Sequence, residues 1–117
     1  MRKVLSFFVM LLVSIITTTS FAQDELTRVP VFTMGESGSQ YYRIPAIVET
    51  ENGTLVAIAD QRGNALGDLP NIISIVAKTS TDKGATWSSM VTIAQASATA
   101  GTTYGNAVAV YDEETDK

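Results

Sequence analysis

Residues 72–94 read Ile-Ile-Ser-Ile-Val-Ala-Lys-Thr-Ser-Thr-Asp-Lys-Gly-Ala-Thr-Trp-Ser-Ser-Met-Val-Thr-Ile-Ala. Two runs rich in β-branched residues, Ile72–Lys78 and Thr86–Ala94, flank Asp82-Lys83-Gly84. Such runs bounded by turn residues read as strands. Asp82 is placed to accept hydrogen bonds from the backbone N–H groups of its own turn. Gly84 permits a backbone angle that other residues resist. Trp87 then packs against the sheet. This chemistry holds a hairpin together, so Asp82 is read as a structural residue rather than a catalytic one.

Working upstream, Thr54–Asp60 (TLVAIAD) is a further strand, and Glu51-Asn52-Gly53 is a hairpin signal because Asn-Gly readily takes positive φ. Tyr41–Glu49 is its extended partner, Met34–Gln40 a Gly/Ser-rich loop, and Leu26–Phe32 a short β-like run. Asn64–Pro70 (NALGDLP) is a loop between strands. Downstream, Gln95–Thr103 is a loop of mostly small residues, Asn106–Tyr111 starts another strand, and Asp112–Lys117 is a turn. No segment after residue 22 carries a helical period. Short strands with turn chemistry between them define an all-β sandwich, barrel or propeller. With one copy of the 80–87 turn, no internal repeat is visible.

The first residues belong to a different problem. Arg2 and Lys3 precede an almost wholly apolar run, Val4–Ile16, and Ser20-Phe21-Ala22 has the small-x-small form of a cleavage site. This is the tripartite pattern of a signal peptide over residues 1–22, with Gln23 as the mature N-terminus. The apolar run is shorter than the ~20 residues a permanent transmembrane helix needs. The expectation is export, to the periplasm or outside the cell. Cleavage removes two basic residues and makes the net charge more negative than the −4 of the whole chain. That balance argues against nucleic acid or an anionic membrane as partner. With no cysteine and no histidine, disulfides, thiolate metal sites and histidine-based catalysis are excluded for this chain.

Three features together resemble the bacterial exo-α-sialidases (neuraminidases). Tyr42-Arg43-Ile44-Pro45 resembles the arginine-isoleucine-proline signature of that family's first strand. Arg62 and Asp68 flank Gly63–Gly67. Ser80–Trp87 resembles its Asp-box, the BNR repeat motif. The likeness covers residues 30–117. It implies a six-bladed β-propeller of which residues 23–117 are the N-terminal part, the first blade and the start of the next. The order and spacing of Arg43, Arg62 and Asp68 are its stronger part, since the Asp-box marks an architecture shared by other propellers.

By this resemblance Arg43 belongs to an arginine triad gripping the carboxylate of sialic acid, a task suited to a planar guanidinium making two parallel bonds. Read on its own, Arg43 is a surface strand residue paired with a carboxylate such as Glu49. Arg62 by resemblance lines the pocket near the sugar's ring substituents; by composition alone it caps a strand and pairs with Asp60 or Asp68. Asp68, in Gly67-Asp68-Leu69-Pro70, is either a turn aspartate or the general acid that protonates the leaving oxygen and then activates water. Such an acid must keep its proton until it is needed, and Ala65, Leu66 and Leu69 offer apolar surroundings. Asn106, in Tyr104-Gly105-Asn106, stands where many members of the family carry an aspartate after glycine. It can hydrogen-bond to substrate but brings no charge, or it simply starts a strand.

The resemblance further implies retaining hydrolysis of terminal sialic acids from glycoproteins, glycolipids and oligosaccharides, without metal or cofactor. Retaining sialidases use a tyrosine nucleophile. A neutral group avoids repulsion by the carboxylate on the anomeric carbon. In the family that tyrosine, its glutamate partner and two further arginines come later in the chain. Tyr41, Tyr42, Tyr104 and Tyr111 stand in other contexts, and Glu113 and Glu114 belong to a turn. The expectation is therefore a partial site, inactive alone. Two other readings remain: a sialidase-like propeller that binds glycans without cleaving them, and a scaffold propeller sharing only the Asp-box.

Overall fold

The computed structural model describes residues 27–63 and 65–115. The signal-peptide reading of residues 1–22 lies outside them, as do Leu26, Asn64 and residues 116–117. The described chain is all-β, with one 3-10 turn at Glu36–Gly38 and no α-helix among the described residues. Strands β1 (Tyr41–Glu49), β2 (Leu55–Arg62), β3 (Ile73–Ser80) and β4 (Val91–Ala94) form one four-stranded sheet in the order β1-β2-β3-β4. Each neighbouring pair is antiparallel. No helix among these residues is long and apolar enough to cross a membrane.

The core lies on the two central strands. Ala57, Ile58 and Ala59 of β2 and Ile73, Ile75, Val76 and Ala77 of β3 are buried. Successive residues of a strand face opposite ways, so both faces of β2 and β3 are covered. The register Ile58↔Ala77 and Asp60↔Ile75 puts one buried face in line with the Asp60–Arg62 end of the sheet. On the opposite face, Lys78 is 8% exposed. Its ammonium donates to Val31 O at 2.8 Å and pairs with Glu36. That ammonium holds the Glu36 carboxyl below its ordinary range. Phe32 stacks on Tyr42 with ring centroids 5.6 Å apart, and the Tyr42 hydroxyl donates to Glu36 O. Residues 31–39 are thereby strapped to the sheet by side chains instead of by strand pairing.

Three sequence expectations change. Within Leu26–Phe32 the described residues form no strand, because they are fastened to the sheet through the Lys78 and Phe32 contacts. The strand expected over Thr86–Ala94 begins only at Val91. Its first part is taken by the turn, whose end is fixed by Ser88 N–H on Thr79 O. Asn106–Tyr111 is not a strand, and Val108 and Val110 are 81% and 80% exposed. An extended segment becomes a strand only when a neighbour accepts its backbone bonds, and the ladders given for the sheet do not reach it.

The two hairpin turns differ in kind. At residues 51–53 only Gly53 takes positive φ, at 79°. Thr50 N–H bonds Thr54 O, and Gly53 N–H bonds Thr50 O. This is a three-residue loop closed by a left-handed glycine, where the sequence suggests a tighter Asn-Gly turn. The turn at residues 80–87 has two successive left-handed residues, Lys83 at φ 59° and Gly84 at φ 86°. Asp82 holds it. Its carboxylate accepts Thr86 N–H at 2.8 Å, the Thr86 hydroxyl at 2.5 Å and the Ser80 hydroxyl at 2.7 Å. These donors lower the Asp82 pKa to about 2, the Thr86 hydroxyl contributing most.

Candidate functional site

The site is built where β1 and β2 pair. Arg43 sits directly opposite Asp60 in the register. Asp60 and Arg62 are two apart on β2 and so share a face. Between Arg43 and Ala46 the ladder is interrupted by a bulge, within which Ile44 adopts φ 52°. A β-branched residue there costs about 1–2 kcal/mol, and the position before a proline disfavours helical geometry as well. Bulges re-aim side chains beside functional sites. Here the bulge follows an arginine that is 40% exposed and reaches across to the next loop.

That loop, residues 66–68, hangs on Arg62. The guanidinium is wholly buried. Nη1 donates to Leu66 O at 2.8 Å and Gly67 O at 2.6 Å. Nη2 meets Asp60 Oδ2 at 3.2 Å and Asp68 Oδ1 at 2.7 Å. Nε has no partner in the described structure, an omission that typically costs about 1–3 kcal/mol. Arg43 Nη1 donates to Leu66 O at 3.4 Å and lies 3.9 Å from Asp68 Oδ1. Two arginines and two aspartates thus form one charge-balanced cluster, and a buried arginine requires such partners.

Asp60 carries the other wall. Asn106 N–H donates to Asp60 Oδ1 at 3.2 Å and Oδ2 at 3.4 Å. Asn106 takes φ 58°, a left-handed angle that asparagine tolerates better than most residues. Between the two walls is a cleft of about 360 Å³, whose lining includes Asp60, Asp68, Leu69, Tyr104 and Asn106. This is within the usual size of a small-ligand pocket.

The structure brings Arg43, Arg62, Asp68 and Asn106 into one neighbourhood. Arg43 is not beside Glu49, which lies at the far end of β1 opposite Leu55. Arg62, expected by resemblance to face the sugar, is buried under the loop and pairs with both Asp60 and Asp68. Asp68 is 73% exposed, and Leu66 and Leu69, at 55% and 72% exposure, do not bury it as the sequence reading expected. Asp60, named from sequence only as an alternative partner of Arg62, is the residue whose place in the site sequence reasoning missed. Its signal was a charged residue ending the apolar run Leu55–Ala59, with an arginine on the same strand face two positions later. Among the described residues, no cluster of three His, Cys, Asp or Glu side chains forms a metal site.

Comparison with known proteins gives a limited likeness. A sialidase of Bacteroides fragilis (strain YCH46) is 39% identical to this chain over 56 residues, which cover 48% of the chain and 10% of that relative. The matched stretch thus spans about a tenth of the relative's length. No family model matches the chain.

Proposed function

We propose that this chain carries part of the active site of an exo-α-sialidase, on the first blade of a six-bladed β-propeller whose Asp-box is the 80–87 turn. The observation that carries this reading is the proximity of Arg43 and Asp68, 3.9 Å apart and both open to solvent. In a sialoside one carbon bears both the carboxylate and the glycosidic oxygen. A carboxylate-binding arginine and a leaving-group acid must therefore stand side by side. In this reading Arg43 grips the carboxylate, Asp68 delivers the proton and Asn106 lines the pocket. The nucleophilic tyrosine, its glutamate and two further arginines come from later sequence. The Bacteroides likeness and the all-β sheet support the reading.

The test compares substrates in the complete protein. A natural sugar leaving group needs a proton; a nitrophenyl group hardly does. Asp68→Ala is expected to lower kcat/KM for sialyl-lactose by about 10²–10⁴ while affecting a nitrophenyl sialoside far less. Arg43→Ala should weaken both by roughly ten- to a hundredfold, since a charge-assisted bond is worth ~1.5–3 kcal/mol. Equal, modest losses from Asp68→Ala would make it a turn residue only. A protein that binds sialosides through Arg43 and releases nothing would be a glycan-binding propeller.

We also propose that residues 1–22 direct export. Mass spectrometry of the exported protein should find Gln23 at the N-terminus. An intact Met1 in the membrane fraction would show an anchor in its place.

A further inference from the structure

We propose that Asp60 is the positioning residue of this site, fixing Asp68 through Arg62 and setting the opposite wall through Asn106. The inference rests on the sialidase reading and goes beyond it, because Asp60 is buried at the base of the cleft and acts through its neighbours.

The loop that carries Asp68 has little packing of its own. Leu66 and Leu69 are exposed, and residues 65–70 form no strand or helix. Asn71 stitches it internally, donating to Ala65 O and Gly67 O at 2.8 and 2.9 Å. What fastens it to the sheet is the buried guanidinium of Arg62, on Leu66 O, Gly67 O and Asp68. A guanidinium can point several ways. Asp60 fixes this one, since its carboxylate is fully buried on the same strand and takes Nη2. The backbone of β2 is itself pinned there by the Ser39 hydroxyl on Arg62 O at 2.7 Å.

Charge gives the second half of the argument. Arg62 has two anionic partners, one fixed and buried, the other exposed on a loop. With Asp60 neutralised, the buried cation has only Asp68 left. The guanidinium then loses its fixed direction, and Asp68, held on Nη2 at 2.7 Å, shifts with it away from the leaving oxygen. An amide in place of the Asp60 carboxylate has one acceptor oxygen and cannot take Arg62 and the Asn106 N–H on separate oxygens, as the carboxylate does. Gly105 shows how closely that wall is fitted: a Cβ there would lie 3.4 Å from Asp60 Oδ2.

The experiment uses the complete protein and the same two substrates. A displacement of about 1 Å can cost about 10²-fold in rate. Asp60→Asn should lower kcat/KM for sialyl-lactose by about that factor beyond whatever loss the Asn106 wall imposes on both substrates alike. In an Asp68→Ala background it should not alter the ratio of the two substrates further. Arg62→Lys, which keeps the buried charge but lacks the fork, should show the same selectivity and serves if Asp60→Asn does not fold. Equal losses on both substrates in the folded variants, or a further change of ratio in the Asp68→Ala background, would overturn the role of Asp60 while the sialidase reading stood. If the unaltered protein released no sialic acid and Arg43→Ala changed no sialoside binding, the sialidase reading would fail first and this inference with it.

Discussion

Two aspartates organise the two ends of this sheet, and they do so in opposite ways. Asp82 is exposed and takes every one of its named partners from the turn that contains it, Ser80 and Thr86. Asp60 is fully buried and reaches a backbone amide 46 positions away. One makes a local staple that needs nothing beyond its own hairpin. The other is a junction where β2, the 66–68 loop and the Gly105–Asn106 segment meet. Chemistry that must be held in register across distant segments belongs at the second kind of place, and the candidate site is there.

The contrast can be broken most severely at the junction. Asp60→Ala removes one member of a buried pair and leaves Arg62 with a single exposed counter-ion. Such changes cost about 3–5 kcal/mol, and the urea midpoint of the complete protein should fall accordingly. A loss no larger than that of an ordinary surface substitution would mean the pair does not hold the loops.

At the staple the effects are smaller. Gly84→Ala places a side chain at φ 86°. The added Cβ would meet Leu55 and Trp87 only at ordinary contact distances of 3.7 and 3.8 Å. The cost is therefore that of the left-handed backbone alone, about 1–2 kcal/mol, again read from the urea midpoint. A neutral result would show that the turn relaxes to another geometry.

The smallest effect is confined to acid. The donors around Asp82 hold its pKa at about 2, below the ordinary 3.8. A depressed carboxylate contributes stability that is present above the unfolded value and lost as the pH falls through the folded one. The turn should therefore weaken between about pH 4 and pH 2, with little change above. Asp82→Asn should flatten that part of the stability curve. Identical acid slopes in both proteins would show that the Asp82 network forms equally with a neutral side chain.

The same contrast explains what was legible before the structure. The β character, the 41–49 and 51–53 segments, and the turn at 80–87 were visible because each rests on local propensity and turn chemistry. So was the grouping of Arg43, Arg62 and Asp68, through spacing and resemblance. The 31–39 strap was not, because it depends on Lys78 meeting Val31 and Glu36 from another strand. Nor was the absence of a strand at 106–111, which no local preference decides.

The sequence by itself determined an all-β chain, the places of its first three strands, the positions of its hairpin turns and the set of charged residues from which a site could be made. Only the tertiary structure decided their roles. Burial separated Arg62 from Arg43, making one the anchor of a loop and leaving the other open to a ligand. It also raised Asp60 from one alternative partner of Arg62 to the centre of the cluster. The physical reason is that propensity and turn bonds act over a few residues. The consequence of a charge depends on how much water it loses and which opposite charge replaces that water, and those are set by segments that meet only in the folded sheet.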